Sequence, residues 1–171
     1  MSDTAKDQIS ESLPSLLARL WRFALVLSGD PPTAEEVVHE TCLYALENSE
    51  QLAPGVRLDR WTFAILYSIW CNKFRAKRIR EERGFTNPAV ILDSARSGVD
   101  AEEEAELSLV LNEVQNLPEA QRAAILLIYV EELAYPEAAN IFGISVATVC
   151  SRLMAARETL GQRTDRRNGT G

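Results

Sequence analysis

Apolar residues recur with helical spacing along most of this chain. Leu16, Leu20, Phe23 and Leu27 fall at i, i+4, i+7 and i+11, one stripe of a helix. Ser28-Gly29-Asp30-Pro31-Pro32 stops that helix, and Thr33 with Glu36 has the form of a capping box that starts a second, running to about Asn48. Ser49 to Leu58, with Pro54 and Gly55, reads as a loop. A long helix follows from about Asp59 to Glu82. On its wheel Phe63, Leu66, Trp70 and Phe74 share one side, and Trp61, Ile65, Ser68, Asn72 and Arg75 share the other. The first set predicts core. The second, an aromatic among amides and cations, suits stacking on unpaired bases while cations hold the backbone, or else a packed Trp61 beside a solvated basic face.

Gly84 to about Ala101 scatters Gly, Pro, Ser and Asp among few apolar residues and ends in Glu102-Glu103-Glu104, the pattern of a linker. A second helical unit starts near Glu104, with Leu107, Leu111 and Val114 on one side. Leu117 to Leu160 then reads as a helix, a short helix (Tyr135 to Phe142), a turn at Gly143 and a longer helix capped by Ser145, the order of a DNA-binding helix-turn-helix. In the last helix Val149, Leu153, Ala156 and Leu160 should pack inward. Ala147, Thr148, Ser151, Ala155 and Glu158 form the opposite face, small enough to approach a major groove, with Arg152 and Arg157 on its flanks toward phosphates. A helical bundle with a coincidental glycine turn is the plainer alternative. The pattern therefore predicts an all-α chain of two small helical domains joined by a flexible acidic linker: a tail over 1–12, a first domain over 13–83, the linker over 84–103, a second domain over 104–163 and a frayed tail over 164–171.

Charge changes this picture only locally. The net charge of −7 argues against a generic nucleic-acid binder. Yet Lys73, Arg75, Lys77, Arg78, Arg80 and Arg83 crowd one segment against two acids, and the next, Gly84 to Asn116, holds seven acids and one arginine. Chemistry has little foothold. Cys42, Cys71 and Cys150 are scattered without a Cys-x-x-Cys pair, which predicts neither a disulfide framework nor a zinc site. His39 is the single histidine, and no nucleotide loop, metal cluster or nucleophile–base pair is present. An enzyme is not expected, nor a cofactor. The apolar run Ala123 to Val130 is too short to span a bilayer, and the polar start of the chain is no signal peptide, so the default location is cytoplasmic.

Taken together, the two halves resemble the extracytoplasmic-function sigma factors of bacterial RNA polymerase, over roughly Leu13 to Leu160. LWRFALVLSGDPPTAEEVVHETCLYAL is similar to the family's domain two and RWTFAILYSIWCNKFRAKRIR to its −10 recognition helix. LPEAQRAAILLIYVEEL through ISVATVCSRLMAARETL is similar to domain four, which binds the −35 element. The resemblance implies a protein that binds core RNA polymerase, at the β′ clamp helices and β flap, and directs it to promoter DNA in a signal or stress response. It also implies an anti-sigma factor as partner, one that would hold the protein at the inner membrane when it is not on the nucleoid. Carried over by residue, Glu36, His39, Glu40 and Thr41 match the polymerase-docking motif, and Trp61, Ser68, Asn72 and Lys73 match the −10 helix, which continues into Arg75, Lys77 and Arg78. Leu52 to Asp59 matches the loop that captures a flipped base. Ala147, Thr148, Ser151, Arg152, Ala155 and Arg157 match the −35 helix.

Several positions depart from the family pattern. His39 stands where Gln is usual and Ser68 where Asn is common. Cys150 and Ala155 replace cations of the −35 helix, Ala134 replaces a capping Ser, and Glu132 replaces a Gly. With four basic and five acidic residues, Leu117 to Arg163 has no net attraction for DNA. Two readings follow: a working sigma factor whose −35 arm depends on polymerase for affinity, or a sigma-like mimic that binds an anti-sigma factor without directing transcription. In the first, the acidic linker would follow a basic channel on the polymerase.

Overall fold

The computed structural model describes residues 2–80 and 113–168, all helix, turn or loop. The chain divides into two compact units, Met1–Ser97 and Gly98–Gly171. The expected linker over 84–103, with its acidic run, lies outside the described residues, as do Leu107 and Leu111.

In the first unit α1 (Ser2–Ser28) packs on α2 (Pro31–Glu47), and both pack on α3 (Leu58–Ile69). The predicted stripe of α1 is inside: Leu20 and Phe23 are fully buried, with Leu16 and Leu27 close behind. It meets Phe63, Leu66, Trp70 and Phe74, all buried as expected. Phe23 and Phe63 meet edge-to-face at 5.6 Å, a geometry worth about 0.5–1.5 kcal/mol beyond the area it buries. Beyond Ile69 the helix widens into a π turn, Trp70–Phe74, where Arg75 N–H reaches back to the carbonyl of Trp70, before α4 (Arg75–Arg80) resumes. No residue type in the sequence marks that turn.

Three expectations are corrected here. The first residues are no tail: α1 begins at Ser2, and Ile9 and Leu13 are buried in a second apolar cluster with Ala45 and Ile65. That cluster also draws in Leu52, Leu58, Trp61 and Ile69, so Trp61 and Ile65 line no polar face. The cap of α2 is Asp30 rather than Thr33. Its carboxylate accepts from the Thr33 N–H (3.2 Å) and hydroxyl (2.5 Å), while Pro31 and Pro32 fill the first turn, where no N–H is needed.

In the second unit α5 (Glu119–Ile125) continues through a π turn (Leu126–Val130) and is followed by α6 (Tyr135–Phe142) and α7 (Val146–Asn168). Helices α5 and α6 pack on α7, with Leu127, Ala138, Val149, Leu153 and Ala156 at the centre. Gly143 turns the chain with φ +66°, and Ile144 N–H closes on Ala139 O at 3.0 Å, so α6 and α7 meet at 100°. Glycine adopts this left-handed conformation without the Cβ clash of other residues. Glu132 adopts it too, at φ +55°, where the family pattern has Gly. Helix α7 runs to Asn168, into the stretch 164–171 that the sequence reads as a tail. Among the described residues no single helix is long and apolar enough to cross a membrane.

Candidate nucleic-acid interface

The outward side of α3 and of the π turn after it carries Ser68, Asn72 and Lys73, all exposed; Asn72 donates to Ser68 Oγ at 3.4 Å. Trp61, two turns nearer the N-terminus than Ser68, is half-buried on the second cluster. Packing thus takes part of the ring that the sequence offers for stacking.

The basic run is less of a free strip than its sequence suggests. Lys73 is ion-paired to Glu40 on α2 at 2.8 Å. Arg75 lies over the Tyr67 ring and donates to its hydroxyl at 3.1 Å. Burial pushes the Tyr67 hydroxyl above its ordinary pKa, against the opposing charge of Arg75. Lys77 is exposed. Arg78 is the clear correction: it is buried, and its Nε donates to the carbonyl of Ser28 at 2.5 Å. A helix end leaves its last carbonyls without internal partners, and Arg78 satisfies one at the end of α1. Its role here is to latch two helices together, not to meet a phosphate.

On α2, Glu36 and His39 are exposed and Glu40 is partly so. Glu36 and His39 border a depression of about 700 Å³ whose walls include Leu17, Val38 and Cys42. Thr41, grouped with them by its motif, is fully buried and gives its hydroxyl to Val37 O at 2.7 Å. It cannot touch a docked partner and instead fixes how α2 packs. On the far side of Glu40, a groove of about 570 Å³ runs between α2 and α3, bordered by Leu43, Tyr44, Ser68, Asn72 and Lys73. Of the polymerase residues expected from sequence, Glu40 alone meets the −10 set Ser68, Asn72 and Lys73 in this groove; Glu36 and His39 face the other depression.

The loop leading into α3 contributes a feature that the sequence reading missed. Asp59 is only 6% exposed and receives three guanidiniums: Arg60 at 2.6 Å, Arg57 at 3.0 Å and Arg19 at 3.2 Å. Burial alone would raise its pKa. The charges of Arg60, Arg19 and Arg57 and the backbone N–H of Arg60 outweigh that and hold the carboxyl below its usual value. A local signal existed, since Arg57 and Arg60 flank Asp59 in sequence. Arg19, 40 positions away, gave none. Between Leu52 and Leu58, which turn inward, Ala53 to Arg57 stay exposed around Gly55 at φ +83°.

On α7 the predicted faces hold. Val149, Leu153 and Ala156 are buried; Ala147, Thr148, Ser151 and Glu158 are exposed, and Ala155 is half-exposed. Ser145 caps the helix, accepting from Thr148 N–H at 3.1 Å, and shares a 2.8 Å hydrogen bond with the Thr148 hydroxyl. The Ser151 hydroxyl donates to Ala147 O at 3.0 Å. Arg152 lies over Phe142, and Arg157 over Tyr129, whose hydroxyl accepts from its Nε at 2.7 Å. Both flanking arginines are thus aimed by aromatic rings. Tyr129 was not anticipated. Ala134 offers no side-chain acceptor, but Glu137 supplies half of a capping box by accepting from Ala134 N–H at 3.0 Å. Cys42, Cys71 and Cys150 are free thiols, each half-buried. Among the described residues no cluster of His, Cys, Asp and Glu could hold a metal ion.

Comparison with known proteins gives a consistent picture. Residues 107–160 match the model of Sigma-70, region 4. The chain is 34% identical over 160 residues to the ECF RNA polymerase sigma factor EcfG of Rhodopseudomonas palustris, covering 94% of this chain and 84% of that protein. It is 32% identical over 146 residues to the ECF RNA polymerase sigma factor SigL of Mycobacterium tuberculosis, covering 84% and 81%. Among solved structures it is similar to the sigma factor RpoE of Bartonella quintana in complex with the anti-sigma factor NepR, with a TM-score of 0.68, 29% identity and coverage of 92% and 96%. It shares the fold of CnrH in complex with the cytosolic domain of CnrY at a TM-score of 0.60, 21% identity and coverage of 96% and 95%.

Proposed function

The chain belongs to the ECF RNA polymerase sigma factors, transcription initiation factors and not enzymes, and on that premise we propose how its surfaces divide the work. Helix α2 docks on the β′ clamp helices of core RNA polymerase through Glu36, His39 and Glu40, and the second unit sits against the β flap. Helix α3 holds the unpaired −10 strand along Ser68, Asn72 and Lys73, with the exposed loop Ala53 to Arg57 receiving a flipped base. Helix α7 enters the −35 major groove, with Ala147, Thr148, Ser151 and Ala155 toward base edges and Arg152 and Arg157 toward phosphates. An anti-sigma factor holds the protein inactive until a signal arrives, a reading supported by the complex of the similar sigma factor RpoE with the anti-sigma factor NepR.

The observation that carries this reading is the Glu40–Lys73 contact, 2.8 Å across the groove between α2 and α3, which couples the docking helix to the strand-holding helix. Reconstituting the chain with core polymerase on a promoter library and sequencing the transcript starts tests it. Initiation at a discrete promoter set is expected; no core binding and no specific starts would sink the proposal. Glu40→Lys should weaken core binding about tenfold, because a reversed charge meets like charge on the partner. Unchanged affinity would remove Glu40 from the docking face.

A sigma-like mimic is the second reading. It is favoured by the hydroxyls of Thr148 and Ser151 being engaged within α7 and by the uncharged Cys150 and Ala155. The same library decides: a mimic binds an anti-sigma factor and starts no transcripts.

A further inference from the structure

Met154 is 67% exposed on α7, while Val149, Leu153 and Ala156 of the same helix are buried. At about 100° per residue it falls within about 60° of Ala147, Ser151 and Glu158. It therefore stands in the middle of the outward face of α7 rather than at its margin. A shallow depression of about 520 Å³ opens there, bordered by Ser151, Met154, Ala155, Arg157 and Glu158.

That face has little to donate to a base. The Ser151 hydroxyl gives its proton to Ala147 O, and the Thr148 hydroxyl is shared with Ser145. Ala147 and Ala155 offer only methyl groups, and the Glu158 carboxylate accepts hydrogen bonds and donates none. The guanidiniums stand to either side, over Phe142 and Tyr129. Cations at the rims, with apolar groups and acceptors between them, match a major groove, where phosphates form the walls and base edges the floor. Among base pairs, A·T presents the complementary floor: a thymine C5-methyl beside the adenine amino donor.

We propose that Met154 is a specificity-determining residue that packs on the C5-methyl of a thymine, so that the −35 element is read through an A·T pair by apolar contact. The inference rests on the reading of α7 as the −35 helix. A thioether suits this ligand, being unbranched, flexible and polarisable, and it fits against a methyl group with no polar partner. Contact of this kind tells bases apart without adding charge, as a segment with more acids than bases requires.

The test uses holoenzyme reconstituted from core polymerase and the full chain, on a promoter the library selects. Each thymine of the −35 duplex is replaced in turn by uracil, which removes the C5-methyl and keeps the base pair. One position should weaken wild-type binding about fourfold, the value of one buried methyl-sized group. At that position Met154→Ala should bind thymine and uracil equally, and Met154→Leu should keep most of the difference. Equal affinity for thymine and uracil at every position would overturn the inference while leaving the proposed function intact, as would selected promoters with no A·T pair in the −35 element. A methyl effect that persists in Met154→Ala would also overturn it, because another residue would then read the methyl. Weaker core binding by Met154→Ala with unchanged base preference would do the same, making Met154 a protein contact. A wild-type chain that starts no specific transcripts would overturn the reading of α7 together with the inference.

Discussion

The two units hold their functional surfaces in opposite ways. In the first, charge is braced by charge: Asp59 against Arg19, Arg57 and Arg60, and Glu40 against Lys73. In the second, α7 presents hydroxyls closed on its own backbone and cap, and its arginines lie on aromatic rings. Electrostatic bracing is long-ranged and salt-sensitive; local hydrogen bonds and ring contacts are short-ranged and salt-tolerant. On the function proposed above, this difference would give affinity to the first unit and shape to the second, whose segment Leu117 to Arg163 carries no net attraction for DNA.

The largest effect expected from this contrast is at Asp59. Asp59→Asn leaves three arginines around a neutral amide and should cost roughly 2–4 kcal/mol in urea unfolding, less than a fully dry pair because the arginines reach water. Its pH signature sharpens the point. The folded carboxyl sits below its unfolded value, so its contribution is complete above the unfolded pKa of about 3.9 and fades as pH falls through the folded value. The first unit should therefore lose stability against unfolding on acidification below about pH 4, and Asp59→Asn should flatten that decline. An unchanged acid limb would break the claim that charge braces this unit. Next, Ser145→Ala removes the cap of α7 and should destabilise the second unit by about 1 kcal/mol with no added salt dependence. A strongly salt-dependent loss would erase the contrast. The smallest change is a gain: Glu132→Gly should raise the melting temperature by relieving a left-handed residue, about 0.5–1 kcal/mol. No gain would mean that the glutamate side chain offsets the backbone cost.

What the sequence made legible follows the range of the interactions. Helical periodicity placed Leu20, Phe23, Phe63, Leu66, Val149 and Leu153 inside, because each stripe reports its own burial. Gly143 and Ser145 were equally plain, since turn and cap chemistry is local. The misses need partners far away in the chain. Residues 2–12 look like a polar tail because Ile9 alone among them joins the buried cluster with Leu13, Ala45 and Ile65. Arg78 looks like a DNA contact until the end of α1 appears beside it, and Thr41 looks like a docking residue until its burial is known. Trp61 shows the same limit. Its wheel position made it polar-facing, but the face was covered by a segment read as tail.

The π turn at Trp70–Phe74 has one further consequence. An extra residue in the turn delays everything after it by about 100° of rotation. On an undelayed helix Lys77 would swing toward the core and Arg78 away from it. With the delay, Arg78 points inward to the end of α1, and Lys77 faces out. The phase of a single turn thus decides which of two adjacent cations becomes scaffold and which remains for a partner, a choice that composition alone could never express.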